Sequence, residues 1–166
     1  MTKSRFSRFS RFAFLFAAAI LLTVSVASAA GPYQFYSVTP CRIADTRAAG
    51  GFTGTSGPPS LAAGANRSFP VAGLCGLPSG AGAPAAVAFN VTVVGPSKDG
   101  FIKIWPFNTA LPAVSTINFV AGEPAIANGA IVPLSSDASF QISLVYGTAT
   151  PGGSADLILD VTGYFK

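Results

Sequence analysis

All 18 glycines and all 13 prolines of this 166-residue chain lie beyond Ala30. That punctuation excludes long helices, because proline removes a backbone donor and clashes inside a helix, while glycine carries an entropic penalty there. What remains between the Gly/Pro/Ser clusters are short segments with alternating apolar and polar residues, recurring every 8–15 residues or so, the pattern of a half-buried strand. About nine are legible: Tyr33–Thr39, Arg42–Thr46 (a second strand or the continuation of the first past Pro40), Arg67–Ala72, Ala86–Val94, Phe101–Trp105, Val114–Val120, Ala127–Leu134, Ser139–Tyr146 and Ala155–Phe165. The clearest is Ala86–Val94, with Val87, Phe89, Val91 and Val93 on one face and Ala88, Asn90, Thr92 and Val94 on the other. The turn Pro96–Gly100 then leads into Phe101–Trp105, which predicts a hairpin.

An all-β domain follows, either a single jelly-roll-like β-sandwich or a partly closed barrel of about nine strands. An immunoglobulin arrangement fits less well, since Trp105 follows both cysteines instead of lying between them. No solenoid or propeller period is present. Asn90-Val91-Thr92 and Asp160-Val161-Thr162 form a faint internal echo. The longest irregular stretch, Ala48–Ala65, is expected to be a surface loop that carries recognition.

The first thirty residues differ in kind. Lys3, Arg5, Arg8 and Arg11 precede an uncharged run, Phe12–Val26, which ends in Ala27-Ser28-Ala29-Ala30. This is the layout of a secretory signal peptide, and cleavage after Ala29 or Ala30 is expected. The apolar run, about fifteen residues long, falls short of the ~20 needed to span a bilayer. No cysteine follows it directly to accept a lipid. The reading is therefore a signal peptide over 1–30 and one extracellular domain over 31–166, with no membrane span after cleavage.

The predicted mature part is close to neutral: Arg42, Arg47, Arg67, Lys98, Lys103 and Lys166 face six acidic residues. Nucleic acid and anionic lipid are poor partners for such a surface. Cys41 and Cys75 make an even count in an oxidising compartment and predict a disulfide, worth roughly 3–4 kcal/mol by the chain-entropy estimate. A redox or metal pair is the weaker reading, because C-x-x-C spacing and histidine are both missing.

Catalytic groups are scarce. Histidine, the commonest general base, is absent, and Glu123 is wedged between Gly122 and Pro124. Two carboxylates flanking a cleft would have to be Asp45 and Asp160, yet Asp45 is hemmed by Arg42 and Arg47, which suits ion pairing better than proton transfer. Calcium would need a denser oxygen-ligand spacing than six scattered acids provide. The expectation is a non-enzyme without cofactor or metal. Asn90-Val91-Thr92 matches an N-glycosylation acceptor, but its alternation makes Asn90 a strand residue. Tyr36, Trp105 and Tyr146, with Tyr33 and Phe107, are the aromatics available for stacking on a sugar.

Six ordered blocks span nearly the whole of 31–166. They are Tyr36-Ser37-Val38-Thr39-Pro40-Cys41-Arg42-Ile43-Ala44-Asp45-Thr46-Arg47; Val71-Ala72-Gly73-Leu74-Cys75-Gly76-Leu77-Pro78; Phe89-Asn90-Val91-Thr92-Val93-Val94; Ser115-Thr116-Ile117-Asn118-Phe119; Ala127-Asn128; and Leu159-Asp160-Val161-Thr162-Gly163-Tyr164-Phe165. Together they resemble a β-rich domain of bacterial secreted and surface proteins, found singly, in tandem or beside enzymes, whose own activity is uncharacterised. Lys103 departs from that pattern, where an uncharged residue is usual. The resemblance implies an exported, modular domain, with Cys41 and Cys75 as its staple. It also groups Arg42, Asp45, Arg47, Asn90, Asn118, Asn128 and Asp160, either as one paired polar network between the layers or as the lining of a ligand cleft. On a regular strand Arg42 and Asp45 would point to opposite faces, so their pairing requires a bulge after Pro40. The function expected is a non-catalytic interaction or structural module engaging a protein or the cell envelope, with a carbohydrate-binding module as the alternative.

Overall fold

Period-two alternation sorts the side chains into an inner and an outer set, and the strands stack their inner sets against each other. The computed structural model describes residues 31–166, which hold together as one unit; the predicted signal peptide lies outside the described residues. The strands are β1 (Phe35–Asp45), β2 (Leu61–Ala62), β3 (Asn66–Phe69), β4 (Ala86–Val94), β5 (Gly100–Pro106), β6 (Ile117–Phe119), β7 (Ala125–Pro133), β8 (Ile142–Gly147) and β9 (Ser154–Phe165). Among the described residues three single-turn 3₁₀ segments interrupt them: Ala48–Gly50, Gly54–Ser56 and Gly80–Gly82.

Two antiparallel sheets result. The front sheet runs β1-β9-β4-β7, with β2 added on β9, and the back sheet runs β3-β8-β5-β6. Setting the two-residue β2 aside, the pairing is nested: β1 with β9, β3 with β8, β4 with β7 and β5 with β6. A chain folded back on itself in this way and rolled into two layers is a jelly roll. Among the described residues no ladder joins the two sheets, so the domain is a sandwich and not a barrel.

The inner faces form one core. Val87, Phe89, Val91 and Val93 of β4 and Leu157, Leu159 and Val161 of β9 are buried, as are Ile102 and Ile104 of β5 and Ile142, Leu144 and Tyr146 of β8. Each fully buried side chain of this size contributes about 1.5–3 kcal/mol. Cys41 and Cys75 are bonded to each other, tying β1 to the turn after β3.

The elements depart from expectation in several places. The predicted hairpin of Ala86–Val94 with Phe101–Trp105 does not form: the turn between them carries the chain from one sheet to the other, so β4 pairs with β7 and β9 while β5 pairs with β6 and β8. Of the two readings of Arg42–Thr46, continuation past Pro40 is the one found: both segments belong to β1, with irregular pairing between Ser37 and Cys41; its position at the sheet edge tolerates a residue without an N–H. The expected strand Val114–Val120 contracts to Ile117–Phe119; the segment just before it is held instead by the Lys103 ammonium, which donates to the carbonyls of Pro112 (2.7 Å) and Ala113 (3.3 Å). The expected loop Ala48–Ala65 is anchored: Arg67 donates to Gly57 O (3.1 Å) and Pro59 O (2.7 Å), and Leu61 is buried in the core.

Candidate functional site

The polar residues of the TPCRIADTR segment converge because β1 is not regular there. Arg42 pairs with Asp160 and Ala44 with Leu159, so one extra residue, Ile43, is accommodated between them. This bulge turns Arg42 and Asp45 toward the same side. Arg42 Nη1 then donates to Asp45 Oδ2 (2.9 Å), while its Nε and Nη2 reach the two oxygens of Asp160 (2.8 and 3.3 Å). Arg47 holds the same Asp45 carboxylate with Nε on Oδ1 (2.9 Å), Nη2 on Oδ2 (2.7 Å) and its backbone N–H on Oδ1 (3.2 Å).

Asp45 is fully buried under these groups. Hydrogen bonds from the Arg47 side chain, working against burial, lower its pKa to about 2. Both arginines are in turn held further toward the charged form, Arg42 chiefly by Asp160 and Arg47 chiefly by Asp45. Two arginines against two aspartates leave the cluster neutral. A carboxylate held this far below neutral pH and bonded on both oxygens ties the strand end together. Next to it, the Thr46 hydroxyl donates to Asp156 Oδ1 and accepts from Leu157 N–H, both at 2.9 Å, which extends the β1–β9 contact past the bulge.

The seven grouped residues do not form one network. Arg42, Asp45, Arg47 and Asp160 come together. Asn90 stands in register beside Asp160, but its one side-chain bond is a long contact to Thr92 (3.4 Å). Asn128 reaches across from the front sheet to Thr116 O (2.8 Å), and Asn118 sits exposed on β6 in register with Phe101. Strand order carries Asn128 and Asn118 to β7 and β6, away from the β1–β9 bulge, whereas Asn90 lies beside Asp160 on β4 without bonding to it.

The aromatic candidates change as well. Tyr146 is a core residue, wholly buried, with its hydroxyl donating to Lys98 O (2.9 Å). Trp105 is 7 % exposed and cannot stack on a ligand. Tyr36 remains 42 % exposed but is already stacked on Tyr164, with ring centroids 5.1 Å apart.

What sequence reasoning missed is an open groove of about 400 Å³ on the outer face of the back sheet. Its floor is Phe101 and Val145, one wall is Leu111, and the other is the turn Thr148–Gly152. Phe101 lies against the backbone of Gly147, where no side chain could fit. The Lys103 ammonium, 5.4 Å from the Phe101 centroid, is committed to the Pro112 and Ala113 carbonyls, so the groove is apolar and bordered by the threonines. The alternation of Phe101 and Lys103 outward against Ile102 inward was the available signal.

A second missed residue is Gln141, 3 % exposed at the entrance to β8. Its Oε1 accepts from Val71 N–H (2.6 Å) and Ala72 N–H (3.0 Å), and its Nε2 donates to Asp137 O (2.6 Å). Nothing local in the sequence marks it. Among the described residues, no buried side-chain polar atom lacks a partner and no group of three potential metal ligands occurs. No described helix is long and apolar enough to cross a membrane. Comparison of the chain with protein-family models, with curated proteins and with solved structures gave no match.

Proposed function

We propose that this is an exported, non-catalytic recognition module that engages a protein or cell-envelope surface through the back-sheet groove. The observation that carries the reading is the groove itself: an open, largely apolar depression with a partly exposed aromatic at its floor and, among the described residues, Lys103 as its one charged lining residue, on a disulfide-tied scaffold. The electrostatic self-sufficiency of the Arg42–Asp45–Arg47–Asp160 cluster supports it, because the chain's most polar segment is spent on its own architecture. The disulfide is compatible with an oxidising, extracytoplasmic setting.

A second reading is favoured by Phe101 together with the hydroxyls of Thr148 and Thr150, which suit a short oligosaccharide stacked on the ring. Cosedimentation of the exported protein with envelope fractions, and with insoluble polysaccharides, tests both. Phe101→Ala and Leu111→Asn should each weaken binding at least about tenfold without changing the melting temperature. Retention on a purified polysaccharide, lost in Phe101→Ala, selects the carbohydrate reading. Binding that survives both substitutions contradicts the groove.

A further inference from the structure

A two-sheet sandwich has four edge strands, each a row of unpaired backbone groups unless something protects it. Three are blunted here. β3 and β6 are four and three residues long. β1 carries Pro40 and two breaks in register. The fourth, β7, has none of these devices. It pairs with β4 over nine consecutive residues without a bulge, carries no charge, and has proline only at its last position.

Its free side can be read from the flanking bonds. Leu134 N–H donates to Ala85 O and Gly95 N–H donates to Pro124 O. In an antiparallel ladder the paired positions alternate, so the even-numbered residues of β7 face β4. Ala125, Ala127, Gly129 and Ile131 therefore turn their N–H and C=O groups outward, and all four are exposed, Ile131 to 64 %.

We propose that this edge is a homotypic interface at which a second copy of the chain adds its own β7, antiparallel, across a two-fold axis. The occupant follows from the edge's self-complementarity. With the axis at Asn128, Ala127 of one copy lies opposite Gly129 of the other, and Ala125 lies opposite Ile131. All four outward residues are then paired, small side chains meet larger ones, and no like charges are opposed. The front sheets of the two copies become one continuous sheet. The inference deepens the recognition reading by naming a partner and an edge. It leaves the groove on the other sheet untouched, so the two can fail separately.

Sedimentation equilibrium of the exported protein, from low- to high-micromolar concentration, is the test, combined with amide hydrogen exchange. The weight-average mass should rise toward twice that of the monomer, with the amides of Ala125, Ala127, Gly129 and Ile131 gaining protection as it does. Ala127→Pro removes only an outward N–H, and Ala127→Lys adds a charge to the edge; both should remain monomeric with an unchanged melting temperature. Wild-type protein that stays monomeric throughout, or a dimer that survives both substitutions, overturns the proposal. So does protection of these amides only on addition of an unrelated extended peptide. In each case envelope binding through the groove is scored independently with the Phe101→Ala variant.

Discussion

Gly50 rests directly on Asp45: a β-carbon added to Gly50 would stand 2.5 Å from the carboxyl carbon. The 3₁₀ turn that carries Gly50 thereby closes over the buried carboxylate, with Gly50 N–H donating to Arg47 O (2.9 Å). Because the intruding contact is the middle of a held side chain and not a flexible tip, Gly50→Ala must displace either the turn or the Asp45–Arg47 pair. The expected loss is about 1–3 kcal/mol, read as a lower denaturation midpoint.

Asp45→Asn should cost about 2–3 kcal/mol, less than a wholly buried pair because both arginines keep contact with water. The pH dependence has a definite sign. The folded pKa of Asp45 lies near 2, below the ordinary 3.8, so its stabilisation is present in full above that ordinary value and disappears as the pH falls from about 4 through about 2. Asp137, lowered by the backbone N–H groups of Phe140 and Ser139, acts in the same direction. Chemical denaturation at a series of pH values should show the acid loss in wild type and a flatter profile in Asp45→Asn.

Gln141→Ala should be among the most damaging polar substitutions. It leaves two backbone N–H groups and one carbonyl without their partner in a nearly closed site, at an expected cost of about 2–4 kcal/mol. Gln141→Glu keeps the acceptor for Val71 and Ala72 but loses the donor to Asp137 O, and should fall between wild type and Ala.

Removal of the segment Gly50–Pro59 should unfold or severely destabilise the domain. An unanchored surface loop would tolerate it, but here the deletion takes away the cover of Asp45 and both carbonyl partners of Arg67. Thermal melting of the deletion variant beside Arg67→Ala checks this; the deletion should be the worse of the two.

The layers were legible in the sequence wherever one residue in two is apolar and the strand is regular, as along β4. The all-β class followed, with a jelly-roll-like sandwich or a partly closed barrel left open; the strand pairing decides for the sandwich. A bulge has no sequence period, so the segment around Ile43 could be read only conditionally: if Arg42 and Asp45 met, the strand had to bend. Burial of an outward-facing aromatic is equally hidden. Trp105 alternates as an outer residue with Phe101 and Lys103, yet it is covered while Phe101 lines an open groove. Gln141 shows the same limit, since its partners at Val71, Ala72 and Asp137 are assembled by strand order and not by sequence spacing.

The proposed recognition through the back-sheet groove can be read by NMR shift mapping of the protein titrated with a solubilised envelope extract. A single contiguous set of perturbed amides over Phe101, Leu111, Val145 and Thr148–Gly152 is expected, lost in Phe101→Ala. Perturbations centred on Arg42, Asp45 and Arg47, with the groove unaffected, would contradict it.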